Sequence, residues 1–276
     1  MSWNLCGIEL RTPLVTASGP LGWGEEFFEI FSTRGLGLFI PKTVTYNPKI
    51  GNPPPRIEET IGGVINSIGL ENEGIYKWLK LEPLYRSLDI PVMASIAGST
   101  LDEISKLGEI INKLDYIVGI ELNLSCPNVK GENWSNNPSS IFEVTYTLRK
   151  VYNKPIFVKL APKDTPMLYI KPAIDGGADG LTLFNTFPAY KTISGGLSGP
   201  AIRPIYMRLF REVKDKVDVP IMASGGVFSA SDVLEYLNLG ANAVQIGTAF
   251  FKDPDIAERI YEELESFLEV KNRDRK

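Results

Sequence analysis

The stretch ELNLSCPNVKGENW (121–134) sets Cys126 between Ser125 and Pro127, with Asn123 and Asn128 close by. Four roles are open to such a cysteine: a buried filler, half of a disulfide, a metal ligand or a base. The chain has only one other cysteine and no histidine. That removes a Ser-His-Asp triad, a Cys-His dyad and any imidazole metal site. Two cysteines also fall short of a four-cysteine cluster. Proton chemistry in this chain therefore rests on Cys, Asp, Glu, Lys, Tyr or Ser, or on a borrowed cofactor. Cys6 reads as a small buried hydrophobe.

Lys42 and Lys159 end the apolar runs LGLFIPK and PIFVKLAP. An ammonium is expensive to bury without a partner, so each either snorkels to the surface or meets an anion. Asn66, Asn123, Asn128 and Asn185 each offer a donor and an acceptor. Singly they are turn residues. As a set around one opening they suit a planar ligand with alternating C=O and N–H edges plus a carboxylate. Gly225-Gly226 and Gly247-Thr248 follow apolar runs near the starts of helices. There, exposed backbone N–H groups hold a phosphate, or the glycines make tight turns. A third glycine-rich run, SGGLSGPAIRP (194–204), precedes a helix and would let backbone approach a flat ligand. Two lysines beside a phosphate site call for a cofactor with delocalised negative charge, a description that a reduced flavin meets.

These residues must be positioned by a scaffold, and eight short apolar runs supply it: 14–18, 36–42, 91–97, 116–124, 155–162, 178–185, 220–226 and 242–251. Continuous apolar runs are the mark of parallel strands buried on both faces. Between them lie helical patterns over 101–114, 140–152, 202–216 and 229–240, with another over 255–270 closing the chain. SASD offers an N-cap to the fourth of these, and Gly240 a stop. Alternation repeated about eight times predicts a single (β/α)8 TIM barrel over 1–276. A doubly wound sheet would want GxGxxG after the first strand, and TASGPLGWG is a poor match. In a barrel the strand C-terminal ends converge on one mouth. That places Ala17-Ser18, Lys42, Asn123 to Asn128, Lys159, Asn185-Thr186, Ser224 to Gly226 and Gly247-Thr248 together. Residues 1–13 read as an N-terminal hairpin capping the barrel bottom. Residues 43–75, with four prolines and five glycines, read as an inserted substrate-site loop. Residues 124–138 read as an active-site lid with Gly131 as hinge.

The 276 residues carry 43% hydrophobic content, enough for one large core, and a net charge of −4, which gives nucleic acid no basic patch. No apolar run approaches the ~20 residues of a membrane span. The N-terminus lacks a signal-peptide pattern, and two cysteines fit a reducing compartment, so the expectation is a cytoplasmic protein.

At this point the pieces resemble a known family, the class 1 dihydroorotate dehydrogenases, FMN barrels of pyrimidine biosynthesis. The matching segments are TASGP (16–20), PKTVT (41–45), NPPPR (52–56), VINSIGLENEG (64–74), ELNLSCPNVKG (121–131), FVKLAP (157–162), ADGLTLFNT (178–186), SGGLSGPAIRPI (194–205) and ASGGVFSASDVLEYLNLGANAVQIGTAFF (223–251). They stand in family order over nearly the whole chain. ELNLSCPNVKG and GGLSGPAIRPI are the specific ones.

The resemblance implies roles. Cys126 is the base that takes the C5 proton of dihydroorotate while hydride leaves C6 for flavin; a serine there marks the membrane-linked class 2. Asn66, Asn123, Asn128 and Asn185 bind substrate, with Thr186 and the segment Ser67, Ile68, Gly69 and Leu70 beside them. Lys42 touches both flavin and substrate, and Lys159 the flavin pyrimidine edge. Ala17, Ser18, Thr43 and Asn123 are further FMN contacts, as are Gly196, Gly199, Gly225, Gly226, Gly247 and Thr248. SCPNVKG and SGGLSGPAIRPI are closer to the NAD-linked type, which pairs the barrel with a second subunit carrying FAD and a 2Fe–2S cluster. Relatives of this class are homodimers or dimer-based heterotetramers. The chain departs from the family at FPAYKTI (187–193), a loop shorter than in relatives. Rival readings are a related FMN barrel reductase acting on another pyrimidine or an enoate, a non-catalytic barrel, and a Schiff-base lyase using Lys42 or Lys159.

Overall fold

The computed structural model describes residues 3–124 and 134–273, with side chains through Phe267. Cys126, Asn128 and Gly131 lie outside the described residues. The chain opens with β1 (Trp3–Leu5) and β2 (Ile8–Leu10), an antiparallel pair, and enters the main sheet at β3 (Leu14–Thr16). A second antiparallel pair follows, β4 (Ile57–Thr60) and β5 (Gly63–Asn66). Next come β6 (Val92–Ile96), β7 (Ile117–Asn123), β8 (Ile156–Leu160) and β9 (Gly180–Leu183). β10 (Phe187–Tyr190) and β11 (Ser194–Ser198) leave the main sheet, and β12 (Ile221–Ser224) and β13 (Ala243–Ile246) complete it.

The main sheet is parallel in the order β3-β13-β12-β9-β8-β7-β6. The gap between β3 and β6 is filled by the run 36–42: Leu38 bridges Val15, and Phe39 bridges Val92, both parallel. The ring thus closes as a TIM barrel, with one position held by two bridges instead of a regular strand. Two local causes limit that position. The Thr16 hydroxyl, not a neighbouring carbonyl, takes the Ile40 N–H at 2.7 Å, and Pro41 has no N–H to offer.

Helices cover the outside, at Leu101–Ile111, Pro138–Val151, Met167–Asp175, Arg203–Lys214, Ala230–Asn238 and Ile256–Arg273. The Ser229 hydroxyl caps its helix by accepting the Asp232 N–H, and Gly240 follows the helix end at φ +94°. The helix Met167–Asp175 is absent from the sequence reading because Pro172 sits inside it and breaks the helical signal. Of the lid expected over 124–138, residues 125–133 lie outside the described residues, and the far end is regular structure. Trp134–Asn136 forms a helical turn, the Trp134 indole donates to Gly98 O at 2.9 Å, and Pro138 already begins a helix.

At the barrel bottom Leu5, Ile8 and Leu10 of the first hairpin pack with Val15, Leu38, Met93, Phe157 and Met222. Apolar side chains fill the barrel interior there, and the described polar side chains of the interior stand toward the other end. At that end β4 and β5 join β10 and β11 in a separate antiparallel sheet, order β10-β11-β5-β4. FPAYKTI, read as a short loop, is therefore mostly strand. The pairing was hidden because its partner strand holds Gly195 and Gly196, which carry no β-signal. Close approach demands both glycines: a Cβ would stand 2.2 Å from Asn66 O and 1.9 Å from Thr186 Oγ1 respectively.

Phe157 is fully buried between hairpin and barrel. Phe157→Ala is expected to cost about 3–5 kcal/mol, read as a lower urea midpoint. Ile30→Ala, at a site 76% exposed, is expected to stay within about 0.5 kcal/mol of the parent.

Candidate active site

The floor of the mouth is a polar knot inside the barrel. Lys159 on β8 is 3% exposed, Glu121 on β7 is 0%, and Gln245 on β13 is 1%. The Lys159 ammonium lies 3.4 Å from Glu121 Oε1, 3.1 Å from Gln245 Oε1 and 3.5 Å from Ser18 Oγ. Glu121 Oε2 accepts from the Gln245 amide at 2.7 Å and from the Thr182 hydroxyl of β9 at 3.0 Å. Parallel register brings these groups level: Asn123 is paired with Lys159, and Lys159 with Thr182. Glu121 and Gln245 were not foreseen. Their trace is a polar residue in the middle of an apolar run, which period-2 reading of a doubly buried strand does not weigh.

Above the floor runs a chain of neutral donors and acceptors. Ser95 Oγ and Thr43 Oγ1 are 2.8 Å apart, Asn123 Nδ2 donates to Thr43 Oγ1 at 3.1 Å, and Asn185 Nδ2 donates to Asn123 Oδ1 at 3.5 Å. Asn185 is held from behind: its Oδ1 accepts the Thr186 N–H at 2.8 Å, and its backbone oxygen accepts the Tyr206 hydroxyl. Burial pushes the Tyr206 hydroxyl well above the ordinary tyrosine range, so it stays a donor. On the far wall Glu71 Oε2 lies 3.5 Å from the Lys42 ammonium and 3.2 Å from Arg56.

The roof is the β4–β5–β11–β10 sheet, which presents Val64, Asn66 and Ser198 to the opening. Asn66 Nδ2 donates to Gly196 O across it at 3.2 Å. The last wall is a cradle of backbone at the ends of β12 and β13. Gly225 and Gly226 sit at φ +123° and +72°, and a Cβ would stand 2.3 Å from the Tyr206 ring and 2.6 Å from Arg203 Cβ. Only glycine fits there.

Together these walls enclose a cavity of about 430 Å³, within the range of small-molecule sites. Of the expected positions, Ala17, Ser18, Lys42, Thr43, Asn66 and Ile68 to Leu70 line it. So do Asn123, Lys159, Asn185, Thr186, Gly225, Gly226, Gly247 and Thr248. Ser67, Gly196 and Gly199 do not. The Ser67 carbonyl and hydroxyl accept from Asn52 Nδ2, each at 3.1 Å, on the other side of the loop. Gly196 serves the strand pairing described above. Gly199, at φ +117°, packs against Gly63, whose Cα a Cβ would approach to 2.6 Å. Cys126 and Asn128 lie outside the described residues. A glycine cradle, two lysines and a row of side-chain amides form a donor set that fits a phosphate-bearing planar cofactor with an anionic edge. Among the described residues no group of three His, Cys, Asp or Glu side chains could hold a metal ion.

A family model described as dihydroorotate dehydrogenase matches residues 1–268. This chain belongs to the dihydroorotate dehydrogenase family. Two relatives are both named dihydroorotate dehydrogenase B (NAD(+)), catalytic subunit. The one from Geotalea uraniireducens (strain Rf4) is 41% identical over 284 residues, covering 98% of this chain and 93% of its own. The one from Bacillus cytotoxicus is 40% identical over 281 residues, covering 96% and 91%. The fold is also that of the crystal structure of DHODH from Eimeria tenella in complex with ferulenol, with TM-score 0.85 at 22% identity over 98% of this chain and 85% of that one. Among the described residues no helix is long and apolar enough to cross a membrane.

One carboxylate clamps the turn between β10 and β11 at the edge of the roof. Glu58 of β4 accepts the N–H groups of Thr192 at 2.9 Å and Ile193 at 3.2 Å, and lies 3.2 Å from the Lys191 ammonium. Desolvation alone would raise the Glu58 carboxyl, but Thr192, Ile193 and Lys191 outweigh it and hold it at about 2. A depressed carboxyl contributes above its ordinary value of 4.5 and loses its contribution as pH falls toward about 2. Amide exchange at Thr192 and Ile193, corrected for intrinsic rates, is therefore expected to show protection at pH 6 that fades across that window. Glu58→Gln should be poorly protected at both ends. Equal protection at every pH in the parent would remove Glu58 as the clamp.

Proposed function

We propose that this chain is the catalytic subunit of a dihydroorotate dehydrogenase that oxidises dihydroorotate to orotate in de novo pyrimidine biosynthesis, with FMN in the mouth cavity. The observation that carries the reading is one cavity holding Lys42, Lys159, three asparagines and the glycine cradle, in a chain matched along residues 1–268 to this family. The family is flavin-dependent. FMN, when bound, supplies the hydride acceptor, so that the substrate loses hydride from C6 and a proton from C5 and gains the C5=C6 double bond.

This chain's residues do the rest. Gly225, Gly226, Gly247 and Thr248 hold the phosphate with backbone N–H groups. Lys159 faces the flavin pyrimidine edge, with Ala17, Ser18, Thr43 and Asn123 beside it. Asn66, Asn123 and Asn185, joined by Asn128, pair with the amide edge and carboxylate of the substrate. Lys42 draws the substrate anion toward the reacting face. Cys126 takes the C5 proton. An unperturbed thiol ionises near 8.5, so the thiolate is a minority species at neutral pH and the rate should climb on the alkaline side. The words NAD(+) and catalytic subunit in the relatives' name support a partner subunit through which electrons pass to NAD+. On this reading that partner carries FAD and a 2Fe–2S cluster, and the whole forms a dimer-based assembly in the cytoplasm.

Cys6 is unfit for the base. Burial, aided by Asp179, pushes its thiol up to about 11, and its Sγ donates to Asp179 O at 3.3 Å, on the hairpin of the barrel bottom. Cys126→Ala is expected to keep the yellow flavin and lose about 10²–10⁴ in turnover, whereas Cys6→Ser stays near the parent. Parent-like turnover in Cys126→Ala would end the assignment, as would a flat rate profile from about pH 6 to 9 with proton abstraction rate-limiting.

A further inference from the structure

Glu121 is buried completely, and it stands behind the cavity wall instead of on it. On the barrel-interior face Glu121 pairs in register with Phe157 of the next strand, and Phe157 belongs to an apolar cluster with Met93, Met222 and Ala243, all 0% exposed. A buried ion pair in such surroundings is a poor stability device, since well-packed apolar side chains of similar volume serve as well or better. Its placement therefore calls for another reason.

The hydrogen bonds supply one. The two carboxylate oxygens divide their work. Oε2 is taken by two neutral donors, the Gln245 amide and the Thr182 hydroxyl, which fix the plane of the group. Oε1 is left for the Lys159 ammonium. The same Gln245 turns its oxygen to Lys159 at 3.1 Å, so its amide bridges both partners and locks the pair. Three strands thus converge on one ammonium, and that ammonium is the one member of the ion pair that reaches the cavity wall, beside Ser18.

We propose that Glu121 is a positioning residue that holds the Lys159 ammonium, charged and in place, against the bound cofactor. The inference rests on the reading of Lys159 as the residue facing the flavin. A buried ammonium stripped of its carboxylate either gives up its proton or swings away. Either way the positive charge no longer stands where negative charge gathers on the cofactor ring.

The test uses the flavin-loaded protein and sulfite, which adds to flavin, bleaches its visible band and leaves negative charge on the ring. Sulfite dissociation constants are measured for the parent, Glu121→Gln, Lys159→Met and the double variant. Lys159→Met is expected to weaken sulfite binding, and Glu121→Gln to weaken it roughly tenfold, within the span of couplings inside one hydrogen-bond network. The double variant should match Lys159→Met alone, because Glu121 acts through Lys159. Unchanged or tighter sulfite binding in Glu121→Gln would overturn the proposal, and so would a double variant whose loss is the product of the single losses. Should Glu121→Gln fail to fold, the double variant, which buries no unpaired charge, is compared with Lys159→Met: equal affinities uphold the proposal and a further loss refutes it. If Lys159→Met leaves sulfite affinity unchanged, the flavin-facing reading of Lys159 fails and the inference falls with it. That outcome differs from an effect in Lys159→Met with none in Glu121→Gln, which refutes the positioning role alone.

Discussion

A parallel strand inside a closed barrel is covered on both faces, and that constraint decides where a polar side chain can stand. It stands at the C-terminal end, where the strand meets the mouth, or deeper down with partners supplied by other strands of the barrel, adjacent or across its interior. Asn123 and Ser224 take the first option, at the last positions of β7 and β12. Glu121, Lys159, Thr182 and Gln245 take the second, one from each of four strands. The apolar plug of Leu5, Ile8, Leu10 and Phe157 closes the opposite end, so the polar groups share a single opening.

Everything else at the mouth is arranged around that floor. The glycine cradle at the ends of β12 and β13 brings backbone close to one side of the cavity. The Thr43–Asn123–Asn185 chain forms another side, stiffened from behind by the Tyr206 hydroxyl on the Asn185 carbonyl. The roof joins residues 57–66 to residues 187–198, segments that are distant in sequence and bound by a strand register of Gly196 with Asn66. Rigid walls of this kind place donors before the ligand arrives, which is the condition for electrostatic stabilisation of a developing charge.

Much of this architecture is legible in the sequence, for a physical reason. Doubly buried strands are written as unbroken apolar runs, and seven of the eight such runs form regular strands. The exception, 36–42, keeps its place in the ring but loses its ladder to Pro41 and the Thr16 hydroxyl. Lys42, Lys159 and Asn123 are conspicuous because each ends or nearly ends a run. Glu121 and Gln245 are hard to find because their partners come from strands dozens of residues away, and pairing is invisible in a linear pattern. The second sheet is hard to find because half of its inner pairing runs through Gly195 and Gly196, whose value lies in what they lack. Gly199 and Ser67 have structural work that the linear pattern does not show: Gly199 packs against Gly63, and Ser67 accepts from Asn52.

The family match and the cavity meet on one chemical claim, that this barrel passes hydride from dihydroorotate to a flavin held at its mouth. The direct measurement is an anaerobic titration of the purified, flavin-loaded chain with dihydroorotate, followed in the visible flavin band. The account predicts stoichiometric bleaching at about one equivalent per flavin, with orotate released in the same amount. A flavin that stays oxidised under excess dihydroorotate, yet bleaches with a different dihydropyrimidine or an enoate-derived substrate, would contradict it.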